Sequence, residues 1–279
     1  MNKKIRRSKS SYLINTICDV NDEPKVIYED KNYYGIYKPA CWIVNVGNYN
    51  NKSTWDVLNP RNKHRKLLQL WLYKNLDYPL RTKIDYGYGI SNRLDKETSG
   101  IVIVAKNKKA YKHIRSQIND HTTIKKYKAL VRGIILKKQT LENNMDCISI
   151  GNSKKCFVCP TNHGKYAKTI IKPIKYYTDN EKNMTFTLLK IRIFTGRTHQ
   201  IRVHTDYINH HVFADPIYNF NKLSAIDERK LLNRFFLHAY SYSFINLHNK
   251  RVTIRSELPI ELLNLIKSLD ELCITIKKK

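Results

Sequence analysis

Residues 100–105 read GIVIVA, six consecutive positions without a polar side chain, four of them β-branched. A run this short and this apolar is a buried-type strand, because a half-exposed strand would alternate. The period then changes at once. In KKAYKHIRSQIND (108–120) Ala110, Ile114 and Ile118 fall in line at helical spacing, so an amphipathic helix follows the strand. KKYKALVRGIIL (125–136) returns to period two, with Tyr127, Ala129, Val131 and Gly133 on one face.

The rest of the chain repeats this mixture. KVIYEDKNYYGIYKPACWIV (25–44) reads as two short strands around an Asp-Lys-Asn turn, and RKLLQLWLYKNL (65–76) has helical spacing. MTFTLLKIRIF (184–194) is a strand, and TGRTHQIRVHTDYIN (195–209) a helix with Thr195 or Thr198 available as N-cap. FFLHAYSYSFIN and KRVTIRS form a hairpin across His248-Asn249, and LPIELLNLIKSLDEL closes the pattern as a helix. Residues 45–65, rich in Asn, Lys and Arg, read as a loop, and 137–165, polar and cysteine-bearing, as a loop or small hairpin insertion. Strands joined through hairpins, with helices between them, predict an α+β fold with a central, mainly antiparallel mixed sheet flanked by helices and loops. The expected layout is a basic tail over 1–24, one domain over 25–270 and a basic tail over 271–279.

Charge narrows the function. Lys and Arg number 51 against 23 Asp and Glu, a net charge of +28, spread along the whole length. Like charge on that scale opposes compaction unless a polyanion is near, which points to nucleic acid as partner. No apolar run approaches the roughly 18 residues of a transmembrane helix. The six cysteines are scattered with no secretory apolar segment before them, so reduced thiols in an intracellular protein are expected. Cys156 and Cys159 form a single CxxC, short of the four ligands of a structural zinc, so no metal is expected. The basic, acid-free start MNKKIRRSKSSYLINTIC suits an organelle transit peptide or an RNA-touching tail, leaving cytoplasm, nucleus or organelle open.

Two clusters carry candidate chemistry. In NRLDKETSG, Asp95 lies two residues after Arg93 and just before a Thr-Ser-Gly turn. An aspartate there is ordinarily a cap or turn residue, and becomes a reactive carboxylate only with a purpose-built partner. In TGRTHQIRVH, Arg197, His199, Arg202 and His204 fall within eight residues, a supply of guanidinium forks and N–H groups for phosphate. The two histidines, five residues apart, occupy different helix faces and read as structural or phosphate-contacting.

RLDKETSGIVIVAKN, KKYKALVRG, TGRTHQIRVH with FADPIYN, and LHAYSYSF, in this order, resemble the RluA-like family of pseudouridine synthases. The opening strand pair with its Lys-Pro turn also resembles that family, and the likeness spans about residues 25 to 260. The resemblance implies a pseudouridine synthase domain over 25–270 that isomerises selected uridines in rRNA or tRNA, as a monomer, with no cofactor, no metal and no membrane. It assigns Asp95 as the essential aspartate, attacking the sugar at C1′, adding to the base at C6, or promoting a glycal route. Tyr127 matches the tyrosine that stacks on the target base and assists proton transfer. Arg202 matches the arginine paired with the aspartate, a pairing that favours the ionised nucleophile. Arg93 matches the residue that fills the stack left by a flipped uridine, while Asn92, Arg197 and His199 are expected at the RNA. Two positions depart from the family: Asn92 replaces the usual histidine before Arg-Leu-Asp, and Cys41 the usual glycine after Lys-Pro-Ala. A catalytically inactive RNA-binding or assembly factor on the same fold would be expected to lose Asp95, Tyr127 or Arg202, and all three are present.

Overall fold

A computed structural model of the chain describes residues 22–45, 66–150, 153–160, 163–179, 184–219, 222–272 and 274–276. The expected N-terminal tail before residue 22, nearly all of the 45–65 loop, Cys18 and Cys273 lie outside them.

The strands are β1 (Lys25–Glu29), β2 (Tyr33–Lys38), β3 (Ser99–Ala105), β4 (Ile124–Arg132), β5 (Gln139–Ile150), β6 (Ser153–Val158), β7 (Lys165–Asp179), β8 (Met184–Ile193), β9 (Leu237–Ile245), β10 (Arg251–Arg255) and β11 (Ile274–Ile276). The helices are α1 (Leu68–Asn75), α2 (Lys108–Asn119), α3 (Gln200–Tyr207), α4 (Lys222–Leu231) and α5 (Ile260–Leu272). One sheet runs β1-β2-β3-β9-β4-β8-β7-β5-β6, with β10 beside β9 and β11 beside β7. Each named strand pair is antiparallel except β3 with β9, which is parallel over Ser99↔His238 and Gly100↔Ala239. This is the α+β mixed sheet expected.

Alternation along β4 separates two cores. Tyr127, Ala129 and Val131 join Ile191, Leu189 and Ile201 on one face, while Leu130 packs with Phe186, Phe213 and α5 leucines on the other. β3 is buried at every position: Val102 and Val104 pack toward α1, whereas Ile101 and Ile103 share a cluster with Ala110 and Ile114 of α2.

Several local expectations change. The 137–165 stretch is a long hairpin built into the sheet, since β5 pairs with β7 from Gln139↔Ile171 to Met145↔Lys165. β7 itself carried no sequence signal, because Pro173 interrupts it; that proline sits where the β7–β8 register shifts. Residues 271–279, read as a tail, contain β11. Cys147 and Cys156 stand opposite each other across β5 and β6 and form a disulfide, in place of the reduced thiols expected there. The partner of Cys156 is therefore Cys147 and not its CxxC neighbour Cys159. Neither threonine caps α3: its N-cap is His199, left-handed at φ 55°, with no side-chain cap.

The parallel contact between β3 and β9 depends on one residue. Gly100 has φ +123°, and a Cβ there would lie 2.3 Å from the Ala239 carbonyl oxygen. Gly100→Ala is expected to lower stability by at least about 1–3 kcal/mol, measurable by denaturant unfolding. An unchanged midpoint would mean that the two strands can separate at no cost.

Candidate active site

The loop from Ser91 to Thr98, which carries Asp95, is held from four directions. Asn92 accepts from the Ile103 N–H (2.8 Å) and donates to the Ile101 carbonyl (3.2 Å), fixing the loop to β3. Lys38, fully buried at the end of β2, donates to the carbonyls of Pro39 (2.7 Å), Trp42 (2.8 Å) and Lys96 (3.2 Å). Arg234, also fully buried, donates to the Glu97 carbonyl (2.7 Å) and the Ser99 hydroxyl (3.0 Å). The Glu97 carboxylate accepts from Arg229 (2.7 Å) and from the Phe235 N–H (3.1 Å). A carboxylate on such a loop keeps its place without help from a substrate.

Arg202, one turn into α3, meets that carboxylate. Its Nη1 donates to Asp95 Oδ2 at 3.2 Å. Its Nε and Nη2 form a fork on Asp215, at 2.6 and 2.9 Å, and its guanidinium carbon lies 4.3 Å from the Phe235 ring centre and 5.0 Å from that of Tyr218. Burial alone would lower the arginine's pKa, but the hydrogen bonds and charge of Asp215, with Asp95, hold it well above its ordinary value. Asp215 has no exposed surface; burial pushes its pKa up, yet Arg202 and the N–H groups of Ile217 (2.9 Å) and Tyr218 (3.2 Å) bring it below the ordinary carboxylate range. The Asp95 side chain is 25% exposed, and its Oδ1 has no hydrogen-bond partner among the described residues. One oxygen is anchored and the other is available.

Tyr127 lies on the β4 face that Leu94, the neighbour of Asp95, packs against. Burial, then the nearby Tyr242 and Asp95, raises its pKa well above the usual phenol value, so it keeps its proton. Its hydroxyl has no hydrogen-bond partner among the described residues. The geometry thus brings together Asp95, Arg202 and the Tyr127 face from three separated stretches of sequence.

The other expected site residues differ among themselves. Arg93 is exposed on the loop. Asn92 directs its amide at β3, where its nitrogen and its oxygen are both engaged. Arg197 is half-buried, with Nε on the Tyr166 carbonyl at 2.8 Å. His199 Nδ1 lies 2.9 Å from the Tyr218 hydroxyl. That hydroxyl accepts from the Cys156 N–H (2.9 Å), and burial lowers the imidazole pKa. His204 is fully buried against Thr169. Asp215, Tyr218, Lys38 and Arg234 were not singled out in the sequence. Asp215 and Tyr218 lay within the quoted FADPIYN, and Lys38 in the Lys-Pro turn; Arg234 has no local signal, its loop partners being 135 and 137 residues away.

These elements coincide with a family. The RNA pseudouridylate synthase family model matches residues 32–207, and the chain belongs to that family of RNA isomerases. It is 30% identical over 247 residues to an uncharacterized RNA pseudouridine synthase of Helicobacter pylori, covering 87% of this chain and 81% of that one. It is 29% identical to the ribosomal large subunit pseudouridine synthase D of Zymomonas mobilis (88% and 72% covered) and to synthase C of Buchnera aphidicola (90% and 69%). Among solved structures, human RNA pseudouridylate synthase domain containing 1 shares the fold, with a TM-score of 0.65 at 20% identity over 92% of this chain and 90% of that one.

Burial of neutral histidines around the site sets an acid limit. His204 titrates at about 4 and His238 at about 3, both lowered first by burial. Unfolded imidazoles take up protons near pH 6.5, so below that pH the unfolded chain binds more protons than the native one. Stability is then full above about pH 6.5 and falls as pH drops toward 4, by about 1.4 kcal/mol per pH unit for each such histidine. Thermal unfolding of wild type and His204→Gln from pH 7 to about 4.5 should show the shallower slope in the variant; parallel curves would exclude His204 as a source.

Proposed function

We propose that Asp95 is the attacking carboxylate of a synthase that isomerises uridines in ribosomal RNA, within a catalytic domain spanning about residues 25–270. The observation that carries this reading is the Arg202 bridge, which holds one oxygen of Asp95 and leaves the other available on a rigid loop. Synthases C and D are named for the ribosomal large subunit, and its RNA suits a chain of net charge +28.

A uridine must leave its stack for any group on this floor to reach it. Arg93, exposed beside the site, fills the vacated stack. Tyr127 stacks on the extruded base. Once the N1–C1′ bond breaks, N1 keeps the electron pair; the free uracil turns, its C5 bonds to C1′, and the proton that leaves C5 is balanced by one taken up at N1. The free uracil must be held against escape while it turns, and the high-pKa Tyr127 hydroxyl serves as proton carrier near the exchanging atoms. Arg202 stabilises the Asp95 carboxylate before attack and after release.

Asp95→Asn keeps the volume and removes the nucleophile. Release of tritium from [5-³H]uridine-labelled ribosomal RNA should fall below detection, while RNA affinity and melting temperature stay at wild-type values. Turnover by the purified variant would refute the assignment.

Tyr127 separates base stacking from proton handling. Tyr127→Phe should bind RNA normally and lose the chemical step, whereas Tyr127→Ala should also lose about 1–3 kcal/mol of binding. Single-turnover rates, affinities and melting temperatures for both variants check this. Wild-type turnover in Tyr127→Phe would remove the role of the hydroxyl.

A further inference from the structure

Lys125 is the second residue of β4 and lies on the same face as Tyr127, two positions along. It is 6% exposed. A buried ammonium normally has a carboxylate or a set of carbonyls around it, as Lys38 does. Lys125 has neither among the described residues, and what surrounds it is more positive charge. Burial first, then Arg197 and Arg115, lowers its pKa to about 8.

The two arginines come from opposite walls. Arg115 projects from α2 and donates to the Ser91 carbonyl (3.3 Å), at the root of the Asp95 loop. Arg197 belongs to the turn before α3, where a Cβ on Gly196 would stand 3.9 Å from Lys125 Nζ. Each is half-buried, each has one carbonyl partner through a single nitrogen, and neither forms an ion pair among the described residues. Three cations with no ion pair among the described residues, at the edge of the floor that carries Tyr127, repel one another until an anion enters. A phosphodiester supplies that anion. It can take the Lys125 ammonium and the spare guanidinium N–H groups together, and its position fits the backbone of a nucleotide whose base lies over Tyr127.

We propose that Lys125, with Arg115 and Arg197, forms a phosphate cradle for the RNA backbone immediately beside the uridine being isomerised, making Lys125 a binding residue of the site. This rests on the reading of the Asp95 centre given above. The cradle acts on docking: it fixes the sugar–phosphate segment so that the glycosidic carbon faces the free oxygen of Asp95.

The test uses the full chain and [5-³H]uridine-labelled ribosomal RNA from cells that lack it. Lys125→Met should raise KM about tenfold, with a smaller loss in kcat, and should make the plot of log KM against log salt shallower by about one ion between about 50 and 200 mM. Lys125→Arg, which keeps the charge, should recover most of the KM. Wild-type KM and salt slope in Lys125→Met would overturn the cradle, as would a loss confined to kcat. If Lys125→Met lowers the melting temperature, Arg197→Gln decides the matter through the same salt slope. Should the wild-type chain release no tritium, the Asp95 reading fails. Filter binding of the same RNA then still decides the cradle, by the salt slopes of wild type and Lys125→Met.

Discussion

A single guanidinium shared by two carboxylates organises the candidate site of this molecule. Arg202 is clamped by Asp215 through a two-point fork, between two aromatic rings, with both carboxylate oxygens of Asp215 engaged. The third arm, Nη1, reaches Asp95. The order of strength matters. Because Asp215 grips the arginine at two points, the guanidinium keeps its place whatever Asp95 bonds to. Removing Asp215 would leave the buried guanidinium with only its single bond to Asp95, and breaking comparable buried pairs costs about 3–5 kcal/mol. Removing Asp95 would leave the Arg202–Asp215 pair intact, as expected of a residue free to act.

That arrangement needs backbone closeness the sheet provides at one point. β3 and β9 touch in parallel for two residue pairs, and Gly100 is what permits it. The contact draws Ser99 to His238 (2.8 Å), and Arg234 donates to the same serine. His238 Nε2 lies 3.2 Å from the Ser256 carbonyl and carries the ring proton, so Nδ1 accepts from Ser99. The Thr-Ser-Gly sequence after Asp95 is thus a joint between two halves of the sheet, and the carboxylate stands beside the joint.

The elements legible in the sequence were those whose cause is local. β3, β4, β8 and α2 follow from periodicity, and the β9–β10 hairpin from its turn residues. β7 was not legible, since Pro173 hides a strand whose partners on either side hold it in place. The Cys147–Cys156 pairing was not legible either, because it depends on the register of the β5–β6 hairpin and spacing alone does not set register. At the site, Asp95, Tyr127 and Arg202 stood out only through the order of several motifs. Their neighbours Arg234 and Lys38 act through carbonyls far along the chain, which no window of sequence contains.

The two departures from the family pattern have different physical outcomes. Asn92 stands where histidine is usual, yet its amide offers one donor and one acceptor at the right separation for the Ile101 carbonyl and the Ile103 N–H, so the loop is still pinned to β3. A neutral imidazole also has one donor and one acceptor, on opposite edges of a ring; the shorter amide engages both backbone groups from one planar end. Cys41 stands where glycine is usual and sits at φ 67°, in the left-handed region that costs a residue with a Cβ about 1–2 kcal/mol. That turn carries the carbonyls that hold Lys38 on either side of Cys41, Pro39 before it and Trp42 after it. The buried ammonium therefore fixes the turn, and the turn keeps its shape through the lysine even where glycine's freedom is lost. Lys38 in turn holds the Lys96 carbonyl, one residue beyond Asp95, so the strain at Cys41 is opposed by the same charge that steadies the Asp95 loop.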